Sequence, residues 1–253
     1  MKDILASFIF LTRLPFWRIC EVPAESFKHV VAYWPLVGWL TGGVTAGVLW
    51  LASLALPMEV AWIIAVLARL LVTGCLHEDG LADFFDGFGG GTTRERTLEI
   101  MKDSRIGTYG VIGLALYFLL LYQMHRLPVE TLCALCFCGD VFAKFVSSHI
   151  INVLPYARKE QESKAKVVYS RMTPREFLIC FIFGVLPVSV LAWRHPTVLF
   201  ACIAPVAVFV FLCAMMKRRI GGYTGDCVGA LFLISELMFL LVGLALWSRN
   251  VLL

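Results

Sequence analysis

The chain has 253 residues, of which 60% are hydrophobic and 16% are charged, with a mean hydropathy of +0.82 and a formal net charge of +4. These values exclude a soluble globular protein, and we expect a lipid bilayer rather than a nucleic acid as the partner. The nine cysteines are odd in number and most lie in apolar stretches, which argues against a disulfide framework. The composition predicts one all-α polytopic integral-membrane domain over residues 1–253.

The first predicted element is a short apolar run at 4–11, which is too short to cross a bilayer and indicates an interfacial or re-entrant helix. Acidic Asp3 precedes this run and no small-residue cleavage site follows it, so we do not expect a cleaved signal. Seven longer apolar runs follow, and each is long enough to cross about 30 Å of hydrocarbon. These predicted transmembrane helices are 30–56, 58–76, 107–124, 129–154, 177–193, 197–216 and 228–247.

The basic residues predict the orientation of these helices. When the connecting segments are assigned to alternate sides, 17 of the 22 Lys and Arg residues fall on one side, in segments 2–28, 94–105, 158–175 and 217–219. Positive charge favours the cytoplasmic side of a membrane. We therefore expect a multi-pass protein of the cell inner membrane, with its N-terminus and its active site in the cytoplasm.

An acidic motif, HEDGLADFFDG, follows the second predicted transmembrane helix and extends from His77 to Gly87. On a helix, Asp79, Asp83 and Asp86 occupy positions i, i+4 and i+7, so the three carboxylates project from one stripe. Like charges this close repel one another unless a cation lies among them. Hard oxygen ligands favour Mg²⁺, usually shared with a substrate phosphate. The motif predicts a membrane enzyme that acts on a phosphorylated substrate.

A glycine-rich turn and a charged cluster follow the acidic motif. Gly90 belongs to a run that ends the helix and lets the backbone approach a ligand, although a flexible turn explains the same run. Lys102 and Arg105 are candidates to hold phosphate oxygens, and Asp103 to complete a metal site or orient Arg105. The structural alternative is a basic anchor on the cytoplasmic side.

Charged residues also lie within the predicted transmembrane helices, where an unpaired charge is costly. Asp140 and Lys144 are i, i+4 neighbours that can neutralise each other, and a structural ion pair and a substrate contact are equally compatible with them. Arg69 is expected to pair with a neighbouring helix.

The last constellation surrounds the start of the final predicted helix. Gly225 belongs to a tight turn and Asp226 stands at or near the helix start, where it can cap the helix or act in the site. Glu236 lies near the middle of the same helix and needs a partner from another helix, a proton or a polar cavity.

Five motifs of the chain together resemble the cobalamin synthase family, also called adenosylcobinamide-GDP ribazoletransferases. They are FLTRLPF, HEDGLADFFDG, RERTLEIMKDSRIGTYG, GGYTGDCVGA and SELMFLL, and they extend over nearly the whole chain. The resemblance implies that α-ribazole, or its 5'-phosphate, is joined to adenosylcobinamide-GDP. The products would be adenosylcobalamin, or its phosphate, and GMP.

The expected site combines this resemblance with the chemistry of the residues. The Mg²⁺ ligands would be Asp79, Asp83 and Asp86, while the candidate catalytic groups are His77, Asp83, Asp103 and Asp226. His77 has a suitable ordinary pKa for a general base, and Asp103 or Asp226 is an alternative. The substrate-binding residues would be Gly90, Lys102, Arg105, Gly225 and Glu236.

Two other functions remain alternatives on the sequence. A CDP-alcohol phosphotransferase of lipid synthesis also has an acidic signature that begins with Asp-Gly, but its Ala-Arg pair would fall on Asp83 and Phe84. An ion-coupled transporter would explain charges within the transmembrane helices, but the sequence shows no inverted repeat. The sequence leaves the oligomeric state open.

Overall fold

A computed structural model of the chain describes residues 2–158 and 168–249. Those residues form helices joined by short connections, and the single β-bridge among them links Tyr156 and Tyr223. The helices are α1 (Lys2–Leu11), α2 (Trp34–Ser53), α3 (Met58–Thr73), α4 (Leu76–Gly90), α5 (Arg94–Lys102), α6 (Thr108–Tyr122), α7 (Val129–Ser148), α8 (Ile150–Val153), α9 (Pro174–Arg194), α10 (Val198–Ile220) and α11 (Gly225–Ser248). Three 3-10 segments lie at Phe16–Arg18, Ala24–Tyr33 and Gln123–Arg126.

The all-α polytopic class is confirmed, but the number of membrane spans differs from the predicted seven. In the described part of the chain, five helical stretches are long and apolar enough to cross a membrane, or six if the bent pair α3 and α4 forms one span. By itself α3 has 16 residues, about 24 Å of helix, which is short of a bilayer core. The 20-residue α7 is not among the five and carries a buried ion pair. Seven crossings are reached only when α3 and α7 are both counted.

A sharp turn separates α3 from α4. Gly74 and Cys75 both adopt left-handed backbone conformations, with φ of 64° and 57°, and the two helices are bent by 90°. A left-handed conformation is easy for glycine and strained for cysteine. The backbone amide of Arg13 donates to the Val72 carbonyl at 2.7 Å, so the segment after α1 is attached to this turn.

The helix α11 lies at the centre of the bundle, where it packs against α4, α7 and α10. In its most apolar stretch 72% of the residues are buried, compared with 28–33% in the other four candidate spans. Most of α11 therefore faces protein, while the other candidate spans expose broad apolar surfaces, as expected of helices that face lipid.

Several chain segments meet at one end of this bundle. They include the end of α1, the start of α2, the turn between α3 and α4, and the start of α11. The Tyr156–Tyr223 bridge attaches the segment after α8 to the connection between α10 and α11, through hydrogen bonds of 2.8 and 3.0 Å. Arg94 strengthens this attachment by donating to the carbonyls of Ala157 and Ile220. The fold thus gathers segments that are distant in sequence around one small volume.

Candidate functional site

A partly open cavity of about 120 Å³ occupies this end of the bundle. One part of its wall is aromatic or aliphatic and another part is polar. The apolar lining consists of Phe10, Leu11, Trp34, Leu76, Tyr156 and Tyr169, and the polar lining of His77, Asp79, Arg158 and Asp226, with Gly80, Gly225 and Gly229 between them. Four residues predicted for the site, His77, Asp79, Gly225 and Asp226, are therefore brought together here.

Two glycines allow α4 and α11 to approach closely beside this cavity. A Cβ atom at Gly80 would lie 3.1 Å from the Asp226 Cα, and one at Gly229 would lie 3.3 Å from the His77 carbonyl oxygen. Glycine at these positions lets the two backbones pack together and brings Asp226 to the residues of the acidic motif. Thr224, whose side chain accepts from the Cys227 amide, caps α11, so Asp226 lies in the first turn rather than at the cap.

His77 presents an unsatisfied nitrogen in a buried position. The residue lines the cavity, only 3% of it is exposed, and its Nε2 has no hydrogen-bond partner among the described residues. The imidazole packs against the Phe232 ring at 4.8 Å, and Lys144 Nζ lies 3.9 Å from the same ring. Buried polar atoms are normally satisfied, so this unpartnered nitrogen needs an explanation, and a ligand would provide one.

The three acids of the predicted stripe have different surroundings. Asp79 is exposed, whereas Asp83 and Asp86 are 9% and 6% exposed. Both carboxylate oxygens of Asp86 accept backbone hydrogen bonds, at 2.7 Å from Gly107 and 2.8 Å from Gly110. These amides lie at the start of α6, where a carboxylate is favoured by the helix dipole. Asp86 thus holds the start of α6.

The donor chemistry of α4 nevertheless fits Mg²⁺. Among the described residues, no group of three or more His, Cys, Asp or Glu side chains is arranged to hold a metal ion. Mg²⁺ is commonly bound by one or two carboxylates, with water and substrate phosphate completing its shell. Asp79 and Asp83, one helical turn apart, provide two such carboxylates.

Five other predicted residues line a second surface, an open cleft of about 940 Å³ between α4, α5 and the start of α6, whereas Asp83 lines neither surface. Its lining includes Asp86, Gly90, Lys102, Asp103 and Arg105. The cavity and the cleft lie towards opposite ends of α4, because Asp79 and Asp86 are separated by about 10 Å of helix rise. The sequence placed these residues in one site, and the structure distributes them over two neighbouring surfaces.

Within the cleft, Asp103 and Arg105 form an exposed pair. The Arg105 guanidinium donates to the Asp103 carboxylate at 2.8 Å, and its backbone amide donates to the same group at 3.0 Å. Hydrogen bonds from Arg105 lower the pKa of Asp103 to about 2. Asp103 is therefore ionised at neutral pH and holds Arg105 in place, which was one of the two roles considered for it.

A buried network of charged residues lies deeper in the bundle. Arg69 Nη1 is 2.7 Å from both carboxylate oxygens of Glu236, and the Arg69 side chain also contacts Tyr117 OH at 3.0 Å and Glu78 at 3.7 Å. Glu236 therefore has its partner on another helix. Arg69, which was expected to pair with a neighbouring helix, is that partner. Glu236 lines neither the cavity nor the cleft.

A second buried ion pair joins Asp140 to Lys144 within α7. Thr41 of α2 donates a hydrogen bond to the Asp140 carboxylate, and Lys144 donates one to the Thr41 hydroxyl. The two residues neutralise each other as the i, i+4 spacing predicts, in contact with a polar side chain of a neighbouring helix.

Sequence reasoning missed several residues of the cavity. The sequence pattern uses Arg158 only to predict the orientation, yet Arg158 lines the cavity and donates to the Leu98 carbonyl at 2.9 Å. The available signal was the Tyr156-Ala157-Arg158 sequence directly after a long apolar stretch, where an aromatic and a cationic residue flank the membrane boundary. Lys159, Lys164 and Lys166, which contributed to the predicted orientation, lie outside the described residues.

Comparisons with known proteins agree with the resemblance found in the sequence. The family described as cobalamin-5-phosphate synthase matches residues 3–244. Relatives named adenosylcobinamide-GDP ribazoletransferase include one from Shewanella frigidimarina, 38% identical over 93% of this chain and 91% of its own length, and one from Shewanella amazonensis, 38% identical over 99% and 97%. A relative of the same name from Leptospira interrogans is 33% identical over 96% of this chain and 95% of its own. No solved structure matches the chain.

Proposed function

The chain belongs to the cobalamin-5-phosphate synthase family, and we propose that it joins adenosylcobinamide-GDP to α-ribazole or to α-ribazole 5'-phosphate. It is a transferase of cobalamin biosynthesis. A ribose hydroxyl attacks the phosphorus attached to the corrinoid arm, the bond from this phosphorus to the oxygen shared with GMP breaks, and GMP leaves. Family membership decides against the CDP-alcohol phosphotransferase and the transporter.

The cavity carries this proposal, because it places a potential base beside carboxylates and a cation. His77 Nε2 has no hydrogen-bond partner among the described residues, and His77 lines the cavity together with Asp79, Asp226 and Arg158. In the proposed reaction the hydroxyl proton passes to His77 Nε2 as the new oxygen–phosphorus bond forms. Arg158 lies where it can contact the phosphoryl oxygens, on which charge builds in the transition state.

The acids of α4 fit a metal-assisted reaction. Asp79 and Asp83 would hold Mg²⁺, which supplies positive charge to the phosphoryl oxygens when bound. Asp86 is assigned the separate task of fixing the start of α6, because both of its oxygens accept backbone hydrogen bonds. The open cleft would receive the outer part of the nucleotide-activated donor, with Lys102 and Arg105 near its phosphates.

The proposed location is the cell inner membrane, with the cavity on the cytoplasmic side. The support is the excess of Lys and Arg in the segments around the cavity and the cleft, including Arg94, Lys102 and Arg158. A nucleotide-activated substrate would reach the site from that side. Exposed Cys75, at the turn before α4, gives a test, because a membrane-impermeant thiol reagent should modify it only from the cytoplasmic side.

The activity is tested with purified protein in proteoliposomes supplied with adenosylcobinamide-GDP, α-ribazole and Mg²⁺. We expect GMP and adenosylcobalamin to appear in equal amounts, and chelation of divalent cations to stop both. Absence of GMP release, under conditions where one of the named relatives is active, would refute the proposed reaction.

A histidine pair tests the assignment of the base. His77→Gln should lower turnover by about 10² to 10⁴, the usual contribution of a positioned general base. His195, which follows α9 and does not line the cavity, provides the matched control, and His195→Gln should retain wild-type turnover. Equal activity of the two variants would remove His77 from the reaction.

A further inference from the structure

We propose that the apolar half of the cavity is the binding site for the heterocyclic base of the nucleoside acceptor, and that Trp34 recognises a ring nitrogen of this base. The inference rests on the proposed function, since it assigns a position to one of the two substrates. The pairing of an aromatic wall with an unsatisfied indole N–H carries it.

The shape and lining of the cavity suit a flat aromatic ligand. Phe10, Trp34, Tyr156 and Tyr169 supply four aromatic side chains from separate parts of the chain, and Leu11 and Leu76 complete the apolar surface. An apolar cavity of about 150 Å³ in another protein holds benzene, so a partly open cavity of about 120 Å³ is of the right order to admit an aromatic ring. Aromatic walls stack favourably on such rings.

Trp34 lines this apolar surface and carries a polar atom that is unpartnered in the described part of the chain. The residue is 3% exposed, and its Nε1 is buried without a hydrogen-bond partner among the described residues. By contrast, the indole nitrogens of Trp39 and Trp62 donate to backbone carbonyls at 2.9 and 2.8 Å. A buried tryptophan normally finds an acceptor for its N–H. A ligand acceptor in the cavity would satisfy this donor.

The acceptor nucleoside has the complementary chemistry. The base of α-ribazole is a benzimidazole, a flat apolar bicycle with one ring nitrogen bonded to ribose and the other free to accept a hydrogen bond. Corrinoid and guanosine diphosphate groups are larger and more polar than the apolar part of the cavity. With the base against Trp34, the ribose would extend towards His77, Asp79 and Asp226, which form the polar part of the same lining.

The test uses Trp34→Phe, which keeps an aromatic ring and removes the N–H donor. We expect the KM for α-ribazole to rise about tenfold, equivalent to about 1.4 kcal/mol, with the KM for adenosylcobinamide-GDP unchanged. Trp39→Phe is the matched control, because it removes a donor from the same helix but at the contact with α9. This control should leave both KM values unchanged.

An acceptor analogue provides a second measurement. In an indole riboside the free ring nitrogen is replaced by C–H, so wild-type protein should show about a tenfold higher KM for it than for the benzimidazole riboside. Trp34→Phe should not distinguish the two nucleosides. If the variant distinguishes them as strongly as wild type, the inference is wrong.

The outcomes separate this inference from the proposed function. Wild-type protein that releases no GMP overturns the reaction itself. Wild-type protein that is active but has the same KM for both nucleosides overturns only the role of Trp34, and this comparison remains decisive if Trp34→Phe does not accumulate in the membrane.

Discussion

Arg69 should stabilise the bundle more than either of the carboxylates that it contacts. Its side chain is 5% exposed, and it lies 2.7 Å from the 3% exposed Glu236 and 3.7 Å from the 7% exposed Glu78. Removal of one partner from a buried ion pair typically costs about 3–5 kcal/mol, because the other charge is left uncompensated. Arg69→Met leaves two buried carboxylates without their cation, so it should lower the free energy of unfolding by about 3–5 kcal/mol.

A double substitution gives the sharper result. Glu236→Met should cost less than Arg69→Met, since Arg69 keeps its contact with Glu78. The double variant, with Met at both positions, should be more stable than Arg69→Met alone, although it has lost more interactions. The reason is that the second substitution removes a carboxylate that the first one left without its cation.

The measurement is equilibrium unfolding in mixed detergent micelles, followed by tryptophan fluorescence. The exposed Arg96–Glu99 pair is the matched control, since its N···O distance is also 2.7 Å but its side chains are 57% and 69% exposed. Loss of this pair should cost only about 0.3–0.5 kcal/mol. A double variant less stable than Arg69→Met, or an Arg69→Met cost similar to that of the control, would refute this reasoning.

Three further predictions concern the two surfaces along α4. Asp83→Asn should lower turnover at least 100-fold, because it removes a metal ligand that is worth several kcal/mol in the transition state. Asp86→Asn should mainly destabilise the protein, by about 1–3 kcal/mol, because one amide at the start of α6 loses its acceptor. Turnover and unfolding measured on both variants distinguish these roles, and an equal loss of turnover would return Asp86 to the metal site. Arg105→Gln should raise the pKa of Asp103 from about 2 towards the ordinary 3.9. A carboxyl NMR titration should then show Asp103 protonated as the pH falls through about 4 instead of about 2, and an unchanged midpoint would contradict the pairing. Gly80→Ala should destabilise the protein by about 1–3 kcal/mol and reduce turnover, because the new Cβ would lie 3.1–3.2 Å from the backbone of α11. If the variant is as stable as the wild type, α4 and α11 can separate without cost, and the prediction is wrong.

The membrane class and the approximate helix positions could be predicted because the physical requirements are local. The length of an apolar run indicates directly whether a helix can span the lipid. The 4–11 run predicts a short helix that does not cross the membrane, and this agrees with the ten-residue α1. The bend after α3 was not predicted. Gly74 gives a turn signal, but the left-handed conformation of Cys75 depends on tertiary packing rather than on its residue type.

The candidate site also contains features that the sequence predicts and features that depend on tertiary packing. The spacing of Asp79, Asp83 and Asp86 gives one stripe on α4, as predicted, but it does not reveal that Gly107 and Gly110 provide both oxygens of Asp86 with donors. Periodicity describes one helix and contains no information on its neighbours. Cavity residues such as Trp34 lie far from the motif in sequence, so only the packing of the bundle relates them to it.

The central position of α11 also affects how the protein is made. This helix follows the other ten described α-helices in the sequence, yet it supplies the middle of the bundle, with 72% of its most apolar stretch buried. Arg69 is synthesised 167 residues before Glu236, its closest counter-ion. During insertion, α3 therefore enters the membrane with a cation whose main partner has not yet been translated.

The earlier helices consequently assemble around a position that is still to be filled. An arginine at the centre of an inserted helix costs about 2.5–3.5 kcal/mol. This is an upper bound for Arg69, which lies near the C-terminal end of α3, and part of the cost persists until α11 arrives. Nascent chains that stop before Gly225 would lack Glu236, the main counter-ion of Arg69, and would lack Asp226 in the cavity wall. The pairing of Arg69 with Glu236 and the placement of Asp226 in the cavity wall therefore both depend on insertion of α11.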